Sequence, residues 1–475
     1  MSEDKELKQW KEKLFYQPKN GYDRIDAEQA GEIFAYAEGY KQFLDAARTE
    51  REAVKEAIRM AEEAGFVPYT FGMELQPGSK VYVNNRGKAL MLAVLGQQPL
   101  DRGCVIAGAH IDSPRIDVKQ NPLYEDTDLA YLDTHYYGGI KKYQWVAIPL
   151  ALHGVIVRKT GEKVIINIGE DENDPVFCIS DLLVHLAQEQ MTKNAKEVVE
   201  GEALNLIVGG RPLEGEEKDA VKANVLKLLA DKYGVEEEDF LSAELEIVPA
   251  GKARDMGFDR SMILAYGHDD RVCAYPSMMA VLDYEGTPEY TLCCIVTDKE
   301  EIGSVGATGM ASHYLENTVA ELYACTADYC ELAVRRCLRN SRMLSSDVSA
   351  GYDPNFASAF EKKNSAFLGR GICFNKFTGS RGKSGSNDAN PEFMASLRKI
   401  MDDAGVAFQT AELGRVDLGG GGTIAYLCAK YGMNVIDSGI PVLSMHAPYE
   451  VISKVDLYEG YRGYCAFLQG AKPVE

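Results

Sequence analysis

His110, Asp112, Asp269, Glu300, Glu301, Asp347 and His446 are the residues of this chain whose types and settings suit chemistry. Imidazole and carboxylate without cysteine is the donor set of a hydrolytic Zn2+, Co2+ or Mn2+ centre. Taken singly, each position is weak. A lone His at a strand end is more often a hydrogen-bonded structural residue, and a lone Asp there is more often a helix cap. The joint pattern carries the weight, because the five places (His110 with Asp112, Asp269, Glu300-Glu301, Asp347 and His446) all sit at the ends of strand-like runs. One α/β sheet would gather them along one edge, where such sheets hold their ligands. Five ligand positions exceed the three protein ligands of a mononuclear catalytic zinc. With one carboxylate bridging, they fit two metals roughly 3.5–4 Å apart. Glu300 and Glu301 are adjacent on loop backbone and point in different directions. One would bind metal while the other reaches the substrate's water.

The elements that must position these residues are legible as apolar runs. Thr291–Val296 (TLCCIV) has the pattern of a strand buried on both faces, and it delivers Asp298-Lys299-Glu300-Glu301. Gly103–Ala109 delivers His110-Ile111-Asp112, and Ser261–Tyr266 leads into Gly267-His268-Asp269-Asp270-Arg271 with a helix following. Met343–Val348, Ala366–Cys373 and Asn434–Val442 read as further strands, and Glu392–Ala404 as a helix. Asp417–Thr423 is Gly-rich and precedes another helix. Alternation of this kind predicts an α/β sheet flanked by helices. Residues 1–65 read as helical, with a capping box at Asp26–Gln29 and a stop at Gly65 and Pro68. Val81–Gly96 reads as a hairpin turning at Asn85-Arg86-Gly87.

After about residue 118 the character changes. Val146–Val157 and Lys163–Ile168 form strand-like runs around Lys159-Thr160-Gly161, followed by an expected helix over Ser180–Gln190 and a clear amphipathic helix near Ala220–Tyr233. We read residues 119–258 as a β-rich domain inserted into a discontinuous one made of 1–118 and 259–475. A length of 475 residues favours two domains.

Composition narrows the function classes. A net charge of −21 excludes the basic field that a nucleic-acid or anionic-membrane binder needs. No apolar run approaches the roughly 20 residues that cross a bilayer, and the charged start MSEDKELKQWKEK lacks the apolar core of a secretory signal. The 11 cysteines are scattered and several lie in apolar strands, which suggests reduced thiols and a cytoplasmic protein.

His110-x-Asp112, Asp269-Asp270-Arg271, Glu300-Glu301-x-Gly303, Asp347 and Ser444-Met445-His446 stand in an order that resembles the M18 metallo-aminopeptidases (aspartyl aminopeptidase and aminopeptidase I type), relatives of the M42 enzymes. The resemblance covers nearly the whole chain and includes the Gly-rich Gly419–Thr423. It implies a zinc-peptidase α/β fold with an inserted dimerisation domain, and removal of N-terminal residues from peptides with a free N-terminus. His110, Asp269, Glu301, Asp347 and His446 look like the ligands of two divalent ions, most simply Zn2+, with Co2+ or Mn2+ as alternatives. Asp269 would bridge them. Asp112 is similar to the carboxylate that orients His110, and Glu300 to the general base acting on a metal-bridging water. The family's dimers assemble through the insertion into a dodecamer, so a homo-oligomer is implied.

Two departures bear on the substrate. Aspartyl members carry a His in the insertion where this chain has Tyr143, and a Lys-x-Asn where it has Cys373-Phe374-Asn375 with Lys376 beyond. Tyr143, Asn375, Lys376, Gly420 and Gly421 are therefore the candidate substrate-binding residues, with acidic and neutral N-termini both open. Rival readings are weaker. Gly382-Lys383-Ser384 resembles the end of a P-loop, but Phe377 stands where that motif needs Gly. No Gly-x-Ser-x-Gly elbow is present. A two-metal hydrolase of another amide, such as an N-acyl amino acid deacylase, shares the ligand pattern. A non-catalytic peptide-binding assembly protein would predict losses among the ligands, and there are none.

Overall fold

In the computed structural model, which describes residues 3–16, 18 and 20–473, the apolar runs build a nine-stranded mixed sheet. Residues 1, 2, 17 and 19 of the expected helical N-terminus lie outside the described residues. The strand order across the sheet is Val67–Pro68, Lys80–Asn85, Ala89–Val94, Thr291–Thr297, Cys104–His110, Arg342–Ser346, Asn434–Gly439, Ile372–Asn375 and Phe408–Thr410. Cys104–His110 is central, with parallel neighbours on both sides.

The run Thr291–Val296, read as a strand buried on both faces, is the strand Thr291–Thr297, with every residue buried. Leu292, Cys294 and Val296 enter one core with the helices Ala27–Ala46, Glu50–Glu63, His268–Leu282, Pro391–Asp403 and Lys454–Gly470. Cys293 and Ile295 enter the opposite core with Tyr314–Ala324, Glu331–Asn340 and Ala425–Ala429. Alternate residues of a strand point to opposite faces, so a sheet sandwiched by helices needs apolar residues at every position. The N-terminal helix Ala27–Ala46 starts at the expected capping box, with Asp26 accepting from the Glu28 and Gln29 amides. The hairpin turns where expected, with Arg86 and Gly87 both at positive φ, as two-residue turns of this twist require.

A second, wholly antiparallel sheet runs from Arg115 to Pro249, in the order Lys163–Ile168, Leu150–Val157, Ala243–Pro249, Arg115–Asp126, Leu129–Tyr137 and Leu206–Gly209. Its core includes Trp145, Leu150, Ile156, Leu245 and Ile247, partly covered by the helix Ala220–Tyr233. Trp145 is completely buried and meets Tyr266 edge-on. Trp145→Ala should therefore destabilise this unit by about 3–5 kcal/mol, the usual cost of emptying an aromatic site. Calorimetry of the purified variant would show it as a lowered unfolding transition.

Two expectations need correction. Ser180–Gln190 is not a helix but a series of turns, with Leu186 and Ala187 amides bonded three residues back. Its Leu183, Val184 and Leu186 are exposed in the single chain, and a helix draws its stability mostly from packing an apolar face. The run Ala366–Cys373 joins the sheet only at Ile372, because Gly369 and Gly371 turn the chain with φ of +84° and +83°.

The two sheets meet through buried charge. Glu50, at the start of a main-sheet helix, faces Lys88 at 3.2 Å and Arg115 at 3.6 Å. Arg115 also reaches Glu246 (3.1 Å) and Asp117 (2.8 Å) on the second sheet, and Lys88 reaches Glu244. Burial would raise the Glu50 carboxyl, but Arg115 and Lys88 outweigh it and hold it far below the usual carboxylate range. Glu50, Glu244 and Glu246 have metal-like spacing, yet these cations already occupy the cluster.

All eleven cysteines are free. Among the described residues no helix is long and apolar enough to cross a membrane.

Candidate active site

Three adjacent parallel strands bring three of the predicted groups to one edge. His110 is the last residue of Cys104–His110 and pairs in register with Thr297, just before Glu300 and Glu301. Asp347 follows Arg342–Ser346 on the other side. Asp269 and His446 arrive by a different route from the single edge expected. Asp269 follows Met262–Ala265, a strand of a separate three-stranded sheet with Arg254–Met256 and Glu450–Ser453. His446 lies between that sheet's Glu450–Ser453 and Pro441–Val442, which pairs with Ser349–Ala350. Gly267 turns the chain just before Asp269 and leaves room for Arg271. It sits at φ +78°, and a Cβ there would lie 2.0 Å from an Arg271 guanidinium nitrogen.

The side chains form two groups that share one residue. His110, Asp269 and Asp347 offer ligand atoms within 4.8 Å of one another, and so do Asp269, Glu301 and His446. Asp269 divides its carboxylate between them, with Oδ1 3.2 Å from His110 Nε2 and Oδ2 3.1 Å from His446 Nε2. Glu301 Oε2 lies 3.6 Å from His446 Nε2, and Glu300 Oε2 lies 3.9 Å from His110 Nε2.

Buried carboxylates around these groups hold their backbone. Asp112 accepts the Glu300 amide on Oδ1 (3.1 Å) and the Glu301 amide on Oδ2 (3.2 Å). His110 Nδ1 lies 3.0 Å from the Asp112 carbonyl and 3.3 Å from its Oδ1. Asp112 thus aims three of the predicted groups. The turn it fixes is tight, since Lys299 sits at φ +66°, which costs a non-glycine residue on the order of 1 kcal/mol. Glu450 plays the matching part on the other side, accepting the Asp269 amide (3.0 Å) and the His446 amide (2.7 Å). Asp270 accepts the His110 amide at 3.2 Å. The sequence reading missed both Glu450 and Asp270. The one available signal was position, because Glu450 stands four residues after His446 and Asp270 next to Asp269.

Electrostatics show what kind of charge the site suits. Burial, reinforced by neighbouring carboxylates, pushes the Asp347 and Glu301 carboxyls well up, and Glu300 up to about 7. Burial opposes charge on His446, but Asp269 and Glu301 outweigh it and push the ring up to about 10. Among the described residues, Asp269 Oδ1 and Glu301 Oε1 are buried without a hydrogen-bond partner. A dense carboxylate cluster with orphaned oxygens and two imidazoles fits divalent cations, which reverse exactly this kind of crowding.

Among the described residues none of the five candidate substrate-binding residues hydrogen-bonds to a candidate metal ligand. Asn375 is buried, its amide bonded to Ser349 Oγ and its Oδ1 accepting from Cys373 Sγ. Lys376 is ion-paired with Asp388, which Lys383 also contacts at 2.9 Å. Gly420 lines a cavity of about 250 Å³ between the loops 377–383 and 412–420, and the Gly421 amide donates to Thr378 O at 2.8 Å. Tyr143 is half-exposed on a single helical turn of the second sheet's unit.

Comparison with known proteins shows the family. The family model described as "Aminopeptidase I zinc metalloprotease (M18)" matches residues 43–468. A probable M18 family aminopeptidase 1 of Clostridium acetobutylicum is 58% identical over 460 residues, covering 96% of this chain and 99% of that one. The crystal structure of an M18 family aminopeptidase from Thermotoga maritima superposes with a TM-score of 0.91 at 44% identity, over 96% of this chain and 100% of that one. The mApe1 dodecamer of S. cerevisiae shares the fold at 20% identity, with a TM-score of 0.73 over 91% of this chain and 96% of that one.

Proposed function

This chain belongs to the aminopeptidase I zinc metalloprotease (M18) family, and from that premise we propose how its residues divide the work. It is an aminopeptidase. His110, Asp347 and Asp269 hold one divalent ion, and Asp269, Glu301 and His446 hold a second. The observation that carries this reading is the split of the Asp269 carboxylate between the two imidazoles. Bound divalent ions supply Lewis-acid polarisation of the scissile carbonyl and make water a stronger acid. Glu300, 3.9 Å from His110 yet a member of neither group, takes the proton of the attacking water and passes it to the leaving amine. Asp112 and Glu450 keep the backbone of Glu300, Glu301, Asp269 and His446 in place, so no group must reorganise during turnover.

The preferred N-terminal residue is neutral. Lys376, the cation nearest in sequence to the family's acid-recognising position, is committed to Asp388, and Asn375 to Ser349. A panel of aminoacyl anilides, assayed on metal-free enzyme reconstituted with Zn2+, Co2+ or Mn2+, should show leucyl or alanyl substrates hydrolysed faster than aspartyl or glutamyl ones. Faster turnover of the acidic substrates would overturn the assignment. N-acyl amino acids in the same assay should remain intact.

Residues 119–258 serve as the dimerisation domain of a homo-oligomer, with the dodecamer as its closed form. Exposed Leu182, Leu183, Val184 and Leu186 support this, because contiguous apolar surface marks association sites. Leu183→Asp combined with Leu186→Asp should lower the mass seen by light scattering. A wild-type mass of 52.3 kDa would refute assembly itself. The eleven free thiols support a cytoplasmic setting.

A further inference from the structure

We infer that Tyr137, on the second sheet, is a positioning residue for the active site of its own chain, acting through Asp112. This inference rests on the two-ion reading above. Tyr137 ends the strand Leu129–Tyr137, is buried, and donates its hydroxyl to Asp112 Oδ2 at 2.7 Å. The same oxygen accepts the Glu301 amide, while Asp112 Oδ1 accepts that of Glu300. One phenol thus orients the carboxylate that aims both the general base and a metal ligand.

The tyrosine is itself held. Arg115, its direct partner across the antiparallel pair, lays its guanidinium over the ring at 3.9 Å. Arg115 is buried and fixed by Asp117 and Glu246 on the second sheet and by Glu50 on the main-sheet side. The chain then crosses the site immediately after Tyr137. A Cβ at Gly138, which sits at φ +75°, would lie 3.3 Å from Glu301 Cβ, and the Gly139 carbonyl lies 2.9 Å from His446 Nδ1. The second sheet therefore touches Asp112, Glu301 and His446 through three consecutive residues. A shift of that sheet against the main one would reach Asp112 through Tyr137, and Glu301 and His446 through Gly138 and Gly139.

Tyr137→Phe keeps the ring beneath Arg115 and removes only the donor. Loss of an outer hydrogen-bond partner lowers activity or metal affinity by roughly 10–100-fold. The variant should show kcat lowered at least about 10-fold with KM within about twofold, and its affinity for Zn2+ alone, titrated into metal-free protein, lowered to a similar degree. Placed in an Asp112→Asn background it should add almost nothing, because residues acting through one partner are not additive. Unchanged kcat and unchanged Zn2+ affinity would overturn the inference, and so would full additivity with Asp112→Asn. Wild-type protein that binds two ions and cleaves peptides in the same assays keeps the two-ion reading standing if Tyr137 fails. Wild-type protein that binds no Zn2+ sinks both.

Discussion

Glu300→Gln is expected to lower kcat by at least roughly 10²-fold and up to about 10⁴-fold, the range a positioned general base contributes. The substitution preserves size and leaves the Glu300 amide free to bond Asp112, so the turn carrying Glu301 should stay in place. Metal content should also stay at the wild-type value, since Glu300 belongs to neither ligand group. The combination is diagnostic. A fall in turnover with intact metal content identifies a proton acceptor, whereas loss of both would make Glu300 a ligand. Near-normal turnover would mean that the base is elsewhere.

Asp269→Ala should have the second-largest effect, and on a different quantity. Because its two oxygens serve different groups, removing it should weaken both ions, each by more than the roughly 10–100-fold ascribed to outer partners. His446→Ala belongs to one group only and should leave the ion at His110 and Asp347 in place. Chelator competition on the two variants separates these cases. Equal retention of one ion in both variants would remove Asp269 from its bridging role.

The parts of this site legible in sequence were those carried by long apolar strands. His110, Glu300, Glu301 and Asp347 follow runs buried on both faces, and such runs leave a continuous hydrophobic signature. Ser261–Tyr266 was legible as the run leading to Asp269, but the small separate sheets that carry Asp269 and flank His446 were not. Pro441–Val442 and Ser349–Ala350 are two-residue strands, too short for any periodicity to register. Glu450 escaped because its work is to accept two backbone amides, one of them 181 positions away, and nothing in a sequence marks such a pairing. Ser180–Gln190 was misread for the converse reason. Its apolar spacing suits a helix, but Leu182, Leu183, Val184 and Leu186 are left exposed in the single chain. The charge cluster at Glu50, Lys88 and Arg115 was invisible as well, since it joins segments of both sheets.

The central claim is that two ligand groups sharing Asp269 hold two ions. Anomalous diffraction from crystals grown after reconstitution with Zn2+ tests it most directly. The account predicts two peaks per chain, one enclosed by His110, Asp347 and Asp269 and the other by Asp269, Glu301 and His446. A single peak, or a peak at Glu50, Glu244 and Glu246 in place of these, would contradict it.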